Sequence, residues 1–191
     1  MTDVPQSKTA PDDTDGLNAS RQEALNDGTC VRIRPIHAQD GALERRFIEA
    51  LSPASRRFRF LDTMLSPSEA LLKQMINVDQ SRDAAFVAVI EVDGSESEIG
   101  VARFYATPAG HDCEFAVTVA DAWQMKGLGT LLFKRLIEIA RSRGITQLHS
   151  SDAADNTAMR KFAEHLNFKH ARDPEDGTRV LYSIDLVPVA P

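Results

Sequence analysis

Between residues 84 and 140 the apolar residues change period, and this change restricts the chain to folds in which a β-meander hands over to an amphipathic helix. Residues 84–92 read as a strongly apolar strand. Asp93-Gly94, within a polar link, turns the chain into a second strand over 98–106, and Pro108-Ala109-Gly110 turns it again into a third over 112–120. From Leu128 onward Leu131, Leu132, Leu136, Ile139 and Ala140 recur at helical spacing, opposite Lys134, Arg135, Glu138 and Arg141, and Gly144 stops the helix.

The flanks extend this pattern. Residues 30–36 alternate apolar and basic side chains as a half-buried strand does, and Pro35 confines that strand to an edge or an end. Helices are expected over 38–51, 55–62 and 66–78, the last opened by Ser66-Pro67. After the long helix come a strand over 145–150, a helix marked by Ala158, Met159, Phe162, Ala163 and Leu166, and strands over 168–171 and 179–186 around Asp176-Gly177. The order β, helices, βββ, α, β, α, ββ predicts an α/β (α+β) domain, a mixed sheet with helices on its faces.

Composition narrows the function classes. With 191 residues the chain is long enough for one domain with a sizeable core, and 22 Lys and Arg against 28 Asp and Glu argue against a dedicated nucleic-acid binder. Residues 1–28 hold six acids, two bases and no aromatic, so we expect a disordered acidic tail there and the folded domain over 29–191. The first residues show neither a basic n-region nor an apolar h-region, and no apolar run is long enough to span a membrane. Cys30 and Cys113 stand 83 positions apart and read as reduced thiols of a cytoplasmic protein. His37, His111, His149, His165 and His170 form no ligand-spaced pair, so no metal is expected, and Ser150-Ser151 lack the elbow of a serine hydrolase. Ser55-Arg56-Arg57-Phe58-Arg59-Phe60 interleaves basic and aromatic residues, and we expect its apolar side chains inward and its Arg in water.

The most informative segment is the junction at residues 117–130, between the third strand and the long helix. Gly127 and Gly129 let the backbone approach a ligand closely, and the unpaired N–H groups and positive dipole end of the helix form an anion cradle. A third glycine of a dinucleotide fingerprint is missing, and no P-loop Gly-Lys-Ser/Thr follows. The run Gln124-Met125-Lys126-Gly127-Leu128-Gly129 resembles the Gln/Arg-x-x-Gly-x-Gly/Ala signature of the GNAT superfamily of acyl-CoA-dependent N-acyltransferases. The resemblance covers roughly residues 30–186. Within that superfamily, Cys113-Glu114-Phe115-Ala116-Val117-Thr118-Val119 followed by Trp123-Gln124, together with residues 156–163, looks most like the catalytic domains of Pat-type protein lysine acetyltransferases.

The resemblance implies a mixed, mostly antiparallel central sheet with helices on both faces, acetyl-CoA as co-substrate, and an amine acceptor, a protein lysine or a small molecule. An amine is protonated at neutral pH, so attack on a thioester needs a base. Glu114 is the candidate, on the strand face shared with Ala116 and Thr118, and its role implies a carboxyl raised toward neutrality by burial in the cleft. The resemblance further implies an oxyanion donor from the main chain of Val117 or Thr118 and pantetheine contacts through Val119. It places diphosphate contacts on Gln124, Met125, Lys126, Gly127, Leu128, Gly129 and Thr130, and the Lys126 charge either adds to them or is simply solvated. Asn156 resembles a pantetheine-contacting Asn and equally suits a helix N-cap. Where many relatives carry a Tyr as general acid, this chain has Ala163, and Asn167 stands where a Gly is usual. The expected activity is acetyl transfer from acetyl-CoA to a primary amine in a ternary complex, by a monomer or homodimer without membrane or nucleic-acid partners. A non-catalytic acyl-CoA sensor and a binder of another phosphate ligand are the rival readings.

Overall fold

The computed structural model describes Gly16 and residues 19–61, 65–107 and 110–186. Its strands are β1 (Arg21–Ala24), β2 (Cys30–Pro35), β3 (Ala84–Val92), β4 (Ser95–Ala106), β5 (Asp112–Val119), β6 (Gln147–Ala153), β7 (Lys169–Arg172) and β8 (Arg179–Asp185). The helices are α1 (Gly41–Ala50), α2 (Pro53–Phe60), α3 (Glu69–Ile76), α4 (Leu128–Ser142) and α5 (Thr157–His165), with a 3-10 turn at Asp121–Trp123. The strands form one sheet in the order β1-β2-β3-β4-β5-β6-β8-β7, antiparallel at every pair except the parallel β5–β6.

Side-chain alternation along the strands divides the core in two. Phe86, Ala102, Phe104, Cys113 and Phe115 face α4, where Leu128, Leu132, Phe133, Leu136 and Ile139 form the apolar stripe read from the sequence. Ala85, Val87, Val89 and Val101 face the other way, against Leu43, Phe47 and Ile48 of α1 and Leu72 and Met75 of α3. Phe115, Phe133, Phe162 and Phe168 pack with ring centroids 4.8–5.8 Å apart, tying β5, α4 and α5 together on the first face.

The strand and helix order agrees with the sequence reading, with three local differences. The caps sit elsewhere: Ser52 accepts from the Ser55 N–H and opens α2 at Pro53, and Ser68 accepts from the Leu71 N–H and opens α3. The tail expected over 1–28 lies mostly outside the described residues, but Arg21–Ala24 within it pair antiparallel with Cys30–Ile33, and Leu25 is buried in the core. The strand is amphipathic only weakly, so its order comes from pairing rather than from its own pattern. Charged residues also occupy the second core: Glu44 of α1 and Arg103 of β4 are fully buried and bonded at 3.0 Å, and Glu98 is buried beside them.

Candidate active site

Strands β5 and β6 run side by side only at Asp112–Gln147, Cys113–Leu148 and Glu114–His149, and then diverge although both continue. The gap is closed at one end by these pairs and by the Thr146 N–H donating to the His111 carbonyl. Which main-chain groups enter it follows from the β4–β5 ladder. The Thr107 N–H bonds to the Asp112 carbonyl and the Ala120 N–H to the Ile99 carbonyl, so residues 112, 114, 116, 118 and 120 spend their backbone groups on β4. The groups of Val117 and Val119 therefore point into the gap, and those of Thr118 do not. The Val119 carbonyl already accepts from Gln124 Nε2 at 3.1 Å.

The cradle lies at the open end. Gly127 precedes α4 with φ 88° and has no side chain to cap the helix, and the first-turn N–H groups of Leu128, Gly129 and Thr130 have no carbonyl within the helix to bond. Met125 is exposed and also has positive φ, at 60°. Lys126 differs from expectation: its ammonium lies 3.1 Å from Asp27 and over the Trp123 ring at 4.9 Å, so its charge is already partnered. Asp27 is lowered to about 2 by the hydroxyl and N–H of Thr29 and by Lys126.

Glu114 sits at the closed end of the gap. Across the sheet it has Tyr105 of β4 on one side and His149 of β6 on the other, with Ser183 and Lys169 continuing the same row. Glu114, His149, Ser183 and Lys169 line an open cleft of ≈ 580 Å3 that also includes Ser151 and Leu181. Glu114 is exposed, where burial in the cleft was expected. Above the same face, α2 is fastened by Ser52 and Ser55, whose hydroxyls donate to Asp121 at 2.7 and 2.8 Å, and Arg57 reaches Asp155 at 2.6 Å. Arg59 is not in open water as expected: it is half-buried, and burial and the Arg103 charge push it down to about 10 despite Glu44, Tyr105 and Glu114 nearby. The Glu44, Glu98 and Arg103 cluster beneath it was missed in the sequence, where three charged residues in amphipathic segments carry no mark of burial.

Asn156 takes the capping role. Its Oδ1 accepts from the Met159 N–H at 3.0 Å, and its Nδ2 donates to Asp152 at 3.0 and 3.1 Å. Burial raises Asp152 above the ordinary carboxylate range. Asn167 adopts φ 56°, the left-handed conformation in which Asn substitutes for Gly. Ala163 is buried in the α5 interface, and Tyr182, on the core face, is buried as well.

Residues 31–169 match the acetyltransferase (GNAT) domain family. An acetyltransferase of Pseudomonas aeruginosa is 43% identical over 164 residues, covering 86% of this chain and 88% of that protein. Acetyltransferase Pat of Mycolicibacterium smegmatis is 32% identical over 166 residues, covering 85% of this chain and 47% of Pat, so the chain spans about half the length of that relative. The crystal structure of the GNAT domain of S. lividans PAT superposes with a TM-score of 0.79 at 26% identity, covering 87% of this chain and 97% of that one. The split sheet, the uncapped glycine turn at its mouth and these matches agree: the chain belongs to the GNAT family of N-acetyltransferases.

Proposed function

We propose that the protein transfers the acetyl group of acetyl-CoA to the side-chain amine of a protein lysine by direct attack in a ternary complex, in a cytoplasmic setting. The observation that carries this reading is the juxtaposition of three things along one gap: uncommitted helix N–H groups at its mouth, the Val117 N–H along its wall and the Glu114 carboxylate at its closed end. Likeness to Pat-type enzymes favours a lysine acceptor, and so does the open cleft around Glu114, which suits an amine presented on a long side chain. Among the described residues no helix is long and apolar enough to cross a membrane.

In this reading the diphosphate of acetyl-CoA rests on the N–H groups of residues 127–130, and the pantetheine arm occupies the gap as an added strand. Glu114 accepts the proton of the attacking amine, directly or through water. The C–N bond forms, the thioester oxygen becomes an oxyanion held by the Val117 N–H, and the C–S bond then breaks. A thiol of ordinary pKa, about 8.5, leaves as the thiolate without a protein acid, consistent with Ala163 at the position where many relatives carry a Tyr. Asn156 holds the start of α5 and orients Asp152 beside the gap.

Glu114→Gln tests the assignment. We expect kcat on lysine peptides to fall by about 10²-fold or more, with acetyl-CoA binding by calorimetry unchanged. Full turnover in this variant would reject Glu114 as the base, and turnover of small amines but not of lysine peptides would reject the acceptor.

A further inference from the structure

The turn between β1 and β2 reaches the loop that opens α4. The Asn26 N–H donates to the Lys126 carbonyl at 3.1 Å. The Asn26 carboxamide is seated on Gly127, its Oδ1 and Nδ2 lying 2.9 and 3.1 Å from where a Cβ on Gly127 would be. Asp27 pairs with Lys126 at 3.1 Å and is itself fixed by the Thr29 N–H at 3.0 Å. The chain leading into this turn is fastened along α4, with Arg135 Nη2 donating to the Ala19 carbonyl at 2.9 Å and Arg21 paired with Glu138 at 2.9 Å. The hairpin thus follows α4 from its third turn to its first residue and ends against the glycine loop.

That loop is one that needs support. Met125, with φ 60°, occupies the left-handed conformation that an L-residue disfavours, which persists only where neighbours impose it. Gly127 turns again with φ 88° before the first N–H of α4 is presented. Two main-chain reversals in three residues leave the direction of those N–H groups dependent on what packs on Lys126 and Gly127, and among the described residues Asn26, Asp27 and Trp123 do so.

We propose that Asn26 and Asp27 are positioning residues for acyl-CoA: they contact no substrate, but hold residues 125–127 in the shape that aims the α4 N–H groups at the diphosphate. Lys126 then acts as the tether by which Asp27 holds the loop. This inference rests on the acetyl-CoA site proposed above.

The test compares the full-length protein with Asn26→Ala, Asp27→Asn, Lys126→Gln and the double Asp27→Asn/Lys126→Gln variant. Acetyl-CoA affinity is measured by calorimetry, and kcat and both KM values by steady-state acetylation. We expect Asn26→Ala and Asp27→Asn each to weaken acetyl-CoA binding and raise its KM at least threefold, with kcat and acceptor KM within twofold of wild type. We expect the double variant to bind no worse than Lys126→Gln alone, as two ends of one tether require. Asp27→Asn binding as tightly as wild type or tighter would overturn the proposal, because Lys126 would then serve better as a free charge. A fall in kcat with unchanged acetyl-CoA affinity would overturn it too. A wild-type protein that binds no acetyl-CoA would remove the underlying site as well, whereas a wild type that binds beside variants that bind equally would refute the positioning role alone.

Discussion

Replacing Arg103 by Met is expected to destabilise the domain, and more at pH 7 than at pH 5. The guanidinium is buried and donates to Glu44 Oε1 at 3.0 Å and to the Met75 carbonyl at 2.9 Å, while Glu44 Oε2 has no hydrogen-bond partner among the described residues. Without Arg103, Glu44 is a buried carboxylate beside Glu98, with the Arg59 charge still nearby. Breaking a buried pair by removing one partner costs about 3–5 kcal/mol. The loss is capped, because the carboxyl can take up a proton instead. From its ordinary pKa of 4.5 that uptake costs at most about 3 kcal/mol at pH 7 and about 1 kcal/mol at pH 5, at 1.36 kcal/mol per unit, and the wild type, in which burial already raises Glu44 against the Arg103 charge, bears part of it. Adding about 1 kcal/mol for the lost Met75 bond gives a loss of up to about 4 kcal/mol at pH 7 and up to about 2 kcal/mol at pH 5. The sign is fixed by linkage: a carboxyl raised in the folded state keeps a proton that the unfolded chain releases, so stability falls as pH climbs above 4.5. Urea unfolding at the two pH values measures both numbers, and the midpoint on heating should fall by up to roughly 8–16 °C at pH 7. A loss below about 1 kcal/mol at pH 7, or the same loss at both pH values, would refute the reasoning.

Three further perturbations probe the same frame. Glu98 is raised well above 4.5 by burial and by the neighbouring Glu44, so Glu98→Gln should raise the thermal midpoint at pH 7 and give no gain at or below pH 4.5; a lower midpoint at pH 7 would contradict this. A Cβ on Gly100 would lie 3.1 Å from Leu132, 3.2 Å from the Thr118 carbonyl and 3.3 Å from Leu128, so Gly100→Ala should cost about 1–3 kcal/mol in urea unfolding. Gly129→Ala, whose Cβ would meet nothing closer than 3.6 Å, should be no less stable than wild type yet bind acetyl-CoA more weakly by calorimetry.

What could be read from the sequence follows physical lines. The meander and α4 were legible because one face of each is apolar at its own period, and Leu128, Leu132 and Leu136 lie where that period puts them. The glycine junction was legible because glycines at a helix start have few other uses. Strand β1 was not, since Arg21-Gln22-Glu23-Ala24 gains its order from β2, although Asp27-Gly28 carried a turn signal. Nor was the partnership of Lys126 with Asp27, which joins parts of the chain 99 positions apart. The alternation of β5 gave Glu114 its face but not its exposure, and it could not choose between Val117 and Thr118, because that choice depends on which neighbour takes each hydrogen bond.

The three-position pairing of β5 with β6 has a mechanical consequence. The sheet is in effect two plates, β1–β5 and β6–β8–β7, hinged at Asp112–Glu114 and clasped on one face by the phenylalanines of β5, α4 and α5. With the fewest paired positions of any ladder in the sheet, this seam is where local opening is expected below the free energy of global unfolding. A ligand bonded to main chain along it would fasten the plates together, so that substrate entry and the cooperativity of the fold share one set of backbone groups.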